Sequence, residues 1–189
     1  MKKITFIVAA LFIAASTFAQ DAQWGIKGGL NFAQETTGNG STDIRTGIHL
    51  GGFMDKPISN GVDFQLAFLY SMQGSTYKDG GKDYTEKLDY LIVPLIFKIY
   101  VNKNRRFSID LGLQLGYMVS AKLASGSNSV SVYDLDGLNK FDASLGLGIS
   151  YKINDNLDLV FRGTGGLTKI IEGQDHKNSV LQLGVGYRF

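Results

Sequence analysis

A two-residue alternation of apolar and polar side chains recurs to the last residue, and it constrains this chain more than any other feature. Over residues 107–119 the odd positions are Phe107, Ile109, Leu111, Leu113, Leu115, Tyr117 and Val119, against Ser108, Asp110, Gly112, Gln114, Gly116 and Met118. Residues 141–153 repeat it, with Leu145, Leu147 and Ile149 facing away from Ser144, Gly146 and Gly148. Leu157, Leu159 and Phe161 alternate with Asp158, Val160 and Arg162, and Leu181, Leu183, Val185, Tyr187 and Phe189 with Gln182, Gly184, Gly186 and Arg188. Successive side chains of an extended chain point to opposite faces, so this period specifies strands with one greasy and one polar wall. Residues 24–32, 46–54, 62–75 and 85–101 show the same period less cleanly, which brings the predicted strands to eight. The chain reads as all-β.

The connections sort into two kinds. Residues 55–61, 102–106 and 154–156 are short links, whereas 33–45, 76–84, 122–140 and 169–178 are longer and rich in Gly, Ser, Asn and Asp. Alternating short and long connections between an even number of strands put all short turns and both chain ends on one side, the pattern of a membrane barrel.

Alternation alone does not say which wall faces the axis. The polar wall carries Asp63, Lys98, Asp110, Asp142, Lys152, Asp158, Arg162 and Arg188 among many small residues. A lumen of eight strands is just wide enough to be filled by side chains, and charges there must be paired. The fold expected is therefore an eight-stranded antiparallel up-and-down transmembrane β-barrel with grease outward. Asp110, Asp158, Arg162 and Arg188 share inward parity on neighbouring strands and are expected to form a bonded lumen network. Trp24, Tyr151, Tyr187 and Phe189 fall at the short-turn end, and Phe32, Phe68, Tyr70 and Tyr117 towards the long loops, as two interfacial girdles would require.

The N-terminus fits export. Lys2 and Lys3 precede a 12-residue apolar run from Ile4 to Ala15, and Ala19 suits a cleavage site ahead of Gln20. The run is too short for a spanning helix, which needs about 20 apolar residues. The mature chain of 170 residues, 20–189, is one domain with 17 basic and 17 acidic side chains, so nothing favours nucleic acid. The absence of cysteine removes disulfides, a thiolate metal site and a lipoprotein anchor.

The segment Leu88-Asp89-Tyr90-Leu91-Ile92-Val93-Pro94-Leu95-Ile96-Phe97-Lys98 resembles the fourth-strand signature of the PorT-like outer-membrane β-barrel family, an outer membrane protein beta-barrel domain. The pattern is carried by Tyr90, Leu91, Pro94, Leu95 and Lys98, with a Gly-rich first strand at Trp24-Gly25-Ile26-Lys27-Gly28-Gly29-Leu30-Asn31. Apolar Ile92 departs from the family, many of whose members have Glu there. The resemblance implies a role in secretion machinery, in adhesion or in structure. Tyr187 and terminal Phe189 resemble the C-terminal signal read by barrel insertion machinery. Pro94 removes a ladder donor and is expected at a bulge, and the third and fourth strands are long enough to protrude, carrying Lys87 and Asp89 above the lipid.

Catalytic patterns are missing. His49 reads as a lumen side chain and His176, beside Asp175, as a solvated loop residue. Ser144 and Ser150 have no nucleophile elbow, and Gly163-Thr164-Gly165-Gly166 lacks the Lys-Ser/Thr and helix of a phosphate loop. No cofactor or metal is expected. The partners expected are outer-membrane lipid and a protein or surface component at the outer loops, with the barrel as a monomer. A small pore and a soluble lipocalin-like carrier are the alternatives, the latter requiring an apolar lumen.

Overall fold

The computed structural model describes residues 22–38, 40–126 and 128–189; the expected signal peptide, 1–19, lies outside them. Ten strands form: β1 (Gln23–Thr37), β2 (Gly40–Ser41), β3 (Asp43–Ser59), β4 (Val62–Asp79), β5 (Lys82–Tyr100), β6 (Phe107–Ser125), β7 (Asn128–Ser131), β8 (Phe141–Lys152), β9 (Leu157–Gly166) and β10 (Lys177–Arg188). Eight of them close a ring in the order β1-β3-β4-β5-β6-β8-β9-β10, and β10 returns to β1 through twelve antiparallel pairs from Gly25↔Arg188 to Thr36↔Lys177. Closure leaves no free edge in the ring, as a wall facing hydrocarbon requires. The short strands β2 and β7 extend β1 and β6 at the long-loop end.

In a ring, burial reports the axis. Along β8 the buried residues are Asp142, Ser144, Gly146, Gly148 and Ser150, while Leu145, Leu147 and Ile149 are exposed. Along β10 they are Asn178, Val180, Gln182, Gly184, Gly186 and Arg188, against exposed Leu181, Leu183, Val185 and Tyr187. Leu50 and Leu147 keep 61% and 62% of their full exposure. A belt this apolar would not be stable against water, so it is a surface for lipid.

The long connections are more ordered than the sequence suggests. The predicted loop 76–84 is a hairpin: β4 and β5 pair as far as Asp79↔Lys82 and turn through Gly80 and Gly81, both at positive φ (55° and 77°). Two adjacent glycines supply that conformation without steric cost. Likewise 33–45 is mostly strand, because β1 runs to Thr37 and β3 starts at Asp43.

Pro94 is not at a bulge. The β4–β5 register is the same at Leu66↔Leu95 and Leu69↔Ile92, and the ladder skips the two pairs between them. Pro94 still sits opposite Gln114 of β6 in unbroken register. The missing N–H is therefore absorbed as a local gap on one side of the strand. The bulge falls higher, where Asp89 faces Ser120 and Tyr90 faces Met118, leaving Val119 as the extra residue.

Candidate functional site

The site with the most chemistry is the lumen, which is built in layers. Nearest the short turns, Asp63 accepts from Tyr100 Oη at 2.9 Å and from Arg105, whose guanidinium lies 4.5 Å over the Tyr100 ring. Above them Arg188 forms a two-pronged pair with Asp158 and donates from Nε to Asp55 Oδ2 at 2.8 Å. Lys98 Nζ joins the same group at 3.2 Å from Asp158. Arg188, Asp158, Lys98 and Asp55 are each no more than 3% exposed, so their charges are compensated by direct pairing.

The four residues predicted to form one network are thus divided. Arg188 and Asp158 are joined. Asp110 instead accepts from Ser108 at 2.6 Å and from Ser150, and Arg162 donates to Gln114 Oε1 at 3.2 Å, so neither touches that pair. Strand parity placed all four inside but could not say which neighbours their side chains reach across the barrel. Asp55 reads from the sequence as the start of a turn, whereas β3 continues through it to Ser59 and turns its carboxylate inward. Lys98, the last residue of the Tyr90, Leu91, Pro94, Leu95, Lys98 pattern, is the one that reaches this group. Tyr90 accepts from Asn178 Nδ2 at 3.1 Å, Pro94 is fully buried, and Leu91 faces outward.

A second polar layer is centred on Asn31. Its Nδ2 donates to Ser71 Oγ at 3.0 Å and to the carbonyls of Ile48 and Met72, and its Oδ1 accepts from His49 Nδ1 at 2.8 Å and Gln182 Nε2 at 3.1 Å. His49 is a lumen side chain, 6% exposed.

The lumen is not polar all round. Ala67 and Leu69 of β4, Leu88, Tyr90, Ile92 and Ile96 of β5 and Met118 of β6 are buried on the inward face and form an apolar cluster, on strands whose inner faces also carry Gln65, Lys98 and Gln114. The inner wall read from the sequence as charged and small residues thus also carries a cluster of large apolar side chains. Its cause is visible in β5, which is apolar on both faces: Leu91, Phe97 and Ile99 point out while Ile92 and Ile96 point in.

The mouth at the long-loop end is closed. Residues 132–140 and 167–176 pair through Leu138↔Ile171, Asn139 N to Ile170 O at 2.8 Å and Glu172 N to Gly137 O at 2.9 Å. They hold Ile170, 4% exposed, in the cluster of Leu88, Tyr90, Met118 and Ala121. Beside it Glu35 accepts from Ser75 Oγ at 3.1 Å and from His176 Nδ1 at 3.2 Å. His176 is therefore tied to the barrel rim by Glu35; Asp175 pairs with Lys169 and Lys177 instead. Glu86 lies beyond the apolar belt, and burial together with hydrogen bonding to Glu35 pushes its carboxyl up to about 8.

Among the described residues no group of three or more His, Cys, Asp or Glu is placed to hold a metal. On the outer wall, Tyr187 and Phe189 stand with ring centroids 6.1 Å apart, and Phe189 is 76% exposed. Trp24 and Tyr151 are exposed at the same end, and Phe68 and Tyr117 towards the other.

A closed antiparallel ring of eight strands, greasy outside and filled with bonded polar groups, defines a transmembrane β-barrel of the outer-membrane type. A family model described as outer membrane protein beta-barrel domain matches residues 18–172, and the chain belongs to that family. Among solved structures it is similar to Ail, the attachment invasion locus protein of Yersinia pestis, at 19% identity and TM-score 0.56. It is similar too to Neisserial surface protein A (NspA), at 18% identity and TM-score 0.58. Each alignment covers 89% of this chain and 99% of the other, and each shows the shared fold. No curated protein sequence matches the chain.

Proposed function

We propose that this protein is a non-enzymatic, non-conducting outer-membrane barrel whose working surface is the sheet projecting beyond the lipid. The observation that carries the reading is the asymmetry of the rim. Strand β4 runs on to Asp79 whereas β3 begins at Asp43, opposite Thr76, so Tyr77–Asp79 keep one edge without a strand partner. At the other side of the same extension β7 pairs with β6 alone. Open edges present unpaired N–H and C=O groups, a template on which an extended segment of another protein can add as a strand. The PorT-like signature of β5 supports a protein partner, in secretion machinery or adhesion, over a free small molecule.

The filled lumen argues against a pore. Among the described residues the Arg188 group below, the Asn31 layer between and Ile170 above occupy the axis, as side chains fill a narrow eight-stranded lumen.

The test is crosslinking in living cells from a photoreactive residue at position 78. We expect a discrete crosslinked partner from position 78 that is absent when the photoreactive residue stands instead at position 103, in the short turn between β5 and β6, with the barrel heat-modifiable on gels in both cases. No adduct from position 78, or the same adduct from position 103, would overturn the reading. In planar bilayers the purified protein should give no stepwise conductance, and steady channel openings would favour the pore.

A further inference from the structure

We propose that the lumen contains a binding site for a small monoatomic anion of halide size, held by Lys27, Arg162 and the side-chain amide of Gln182. The proposal is independent of the partner reading above.

The first observation is an imbalance among four equally buried cations. Arg188 and Lys98 each have a carboxylate within ion-pair distance. Lys27 and Arg162, 7% and 3% exposed, have none among the described residues. Lys27 Nζ donates to the neutral Gln65 Oε1 at 2.5 Å and lies 5.7 Å from the centre of the Phe53 ring. Arg162 reaches only the neutral Gln114. The nearest acids touch other groups: Asp55 bonds Arg188 and Gln65, and Asp110, which acts on both cations through space, accepts its hydrogen bonds from Ser108 and Ser150. A buried cation with no counter-charge is among the costliest arrangements in a protein.

The second observation is a cavity of about 20 Å³ bounded by Lys27, Arg162, His49, Gln182, Gly184 and Leu69. Two cations line it and no carboxylate does. Its size matches one water or one halide, since a single water needs at least roughly 10–15 Å³, and it is too small for sulfate or phosphate. The glycine on β10 helps to keep it open: a Cβ on Gly184 would come within 3.0 Å of His49 Nε2.

Donors point to an anion. Gln182 Nε2 spends one hydrogen on Asn31 Oδ1 and has a second to give. A water accepting from these donors brings no negative charge to a cavity lined by two cations, whereas a halide supplies one there. A halide also tolerates the apolar Leu69 wall, because it has no directional lone pairs to satisfy.

The test uses the full mature chain, folded in detergent. Crystals soaked in sodium bromide should show an anomalous peak in the cavity, within hydrogen-bond reach of Lys27 Nζ and the Arg162 guanidinium. Unfolding in urea should be slower in sodium chloride than in sodium gluconate of equal ionic strength, on the order of tenfold when chloride is at ten times its Kd and binds only the folded state. Arg162→Gln, or Lys27→Met if the first variant does not fold, should make the two salts equivalent. A water-like peak without anomalous signal, or coincident unfolding rates in the two salts for the wild-type protein, would overturn the proposal.

Discussion

Arg188 shows how much rests on single lumen residues. It stands on the last strand, bonded to Asp158 and Asp55 and 1% exposed. Replacing it with leucine leaves Asp158 with Lys98 alone and Asp55 with only the neutral Gln65 in a low-dielectric lumen. Arg188→Leu should lower stability by about 3–5 kcal/mol, read as a drop in the urea midpoint in micelles. Breaking the Lys78–Asp83 pair, both side chains at least 70% exposed, should cost less than about 1 kcal/mol. Glycines separate in the same way. A Cβ on Gly148 would sit 2.6 Å from the Phe161 carbonyl and 3.0 Å from Arg162 Cβ, whereas one on Gly165 meets nothing within 4 Å. Gly148→Val should therefore destabilise by about 1–3 kcal/mol or block folding, while Gly165→Ala stays within about 0.5 kcal/mol of wild type by the same assay. The repeated glycines were legible as crowding; that Arg162 is the side chain lying against Gly146 and Gly148 was not, because the contact crosses strands.

At the scale of elements, the closing loops and the β4–β5 hairpin are where sequence patterning was least informative. Both were read as long polar connections, yet one is a sheet extension and the other a lid anchored by Ile170 and His176. The lid has a pH dependence with a definite sign. Glu86 holds its proton up to about 8 in the folded mouth but ionises near 4.5 in an unfolded chain. Between those values the folded form binds more protons, so stability at the mouth falls as pH rises through the window. Ionised Glu86 then repels Glu35, the residue that anchors His176. Protection factors of residues 170–178, taken relative to the intrinsic base-catalysed exchange rate at each pH, should fall between pH 5 and 9, and Glu86→Gln should remove most of that fall; a protection profile unchanged by the substitution would show that Glu86 does not set it. Pro94 belongs at this scale too. Its missing donor was readable, but whether a strand answers with a bulge or a gap depends on the partner strand, here β4.

For the whole molecule, the exposed apolar belt and the buried charges are two consequences of one closure. Stripped of amphiphile, the barrel should aggregate, and in detergent it should migrate faster on gels unheated than boiled. A monodisperse folded species in plain buffer would contradict the outward orientation of Leu50, Leu147 and Leu183. Period-two alternation, loop lengths and the polar inventory of the inner wall were enough to determine strand number, up-and-down order and which face meets lipid, since each depends only on neighbours along one strand. The tertiary structure decided what alternation cannot express: the apolar cluster on the inner wall, the partners of Arg188 and Arg162, and the lid over the mouth. Those depend on side chains from strands far apart in sequence meeting across the axis, at distances set by the barrel's shear and by residues no local pattern connects.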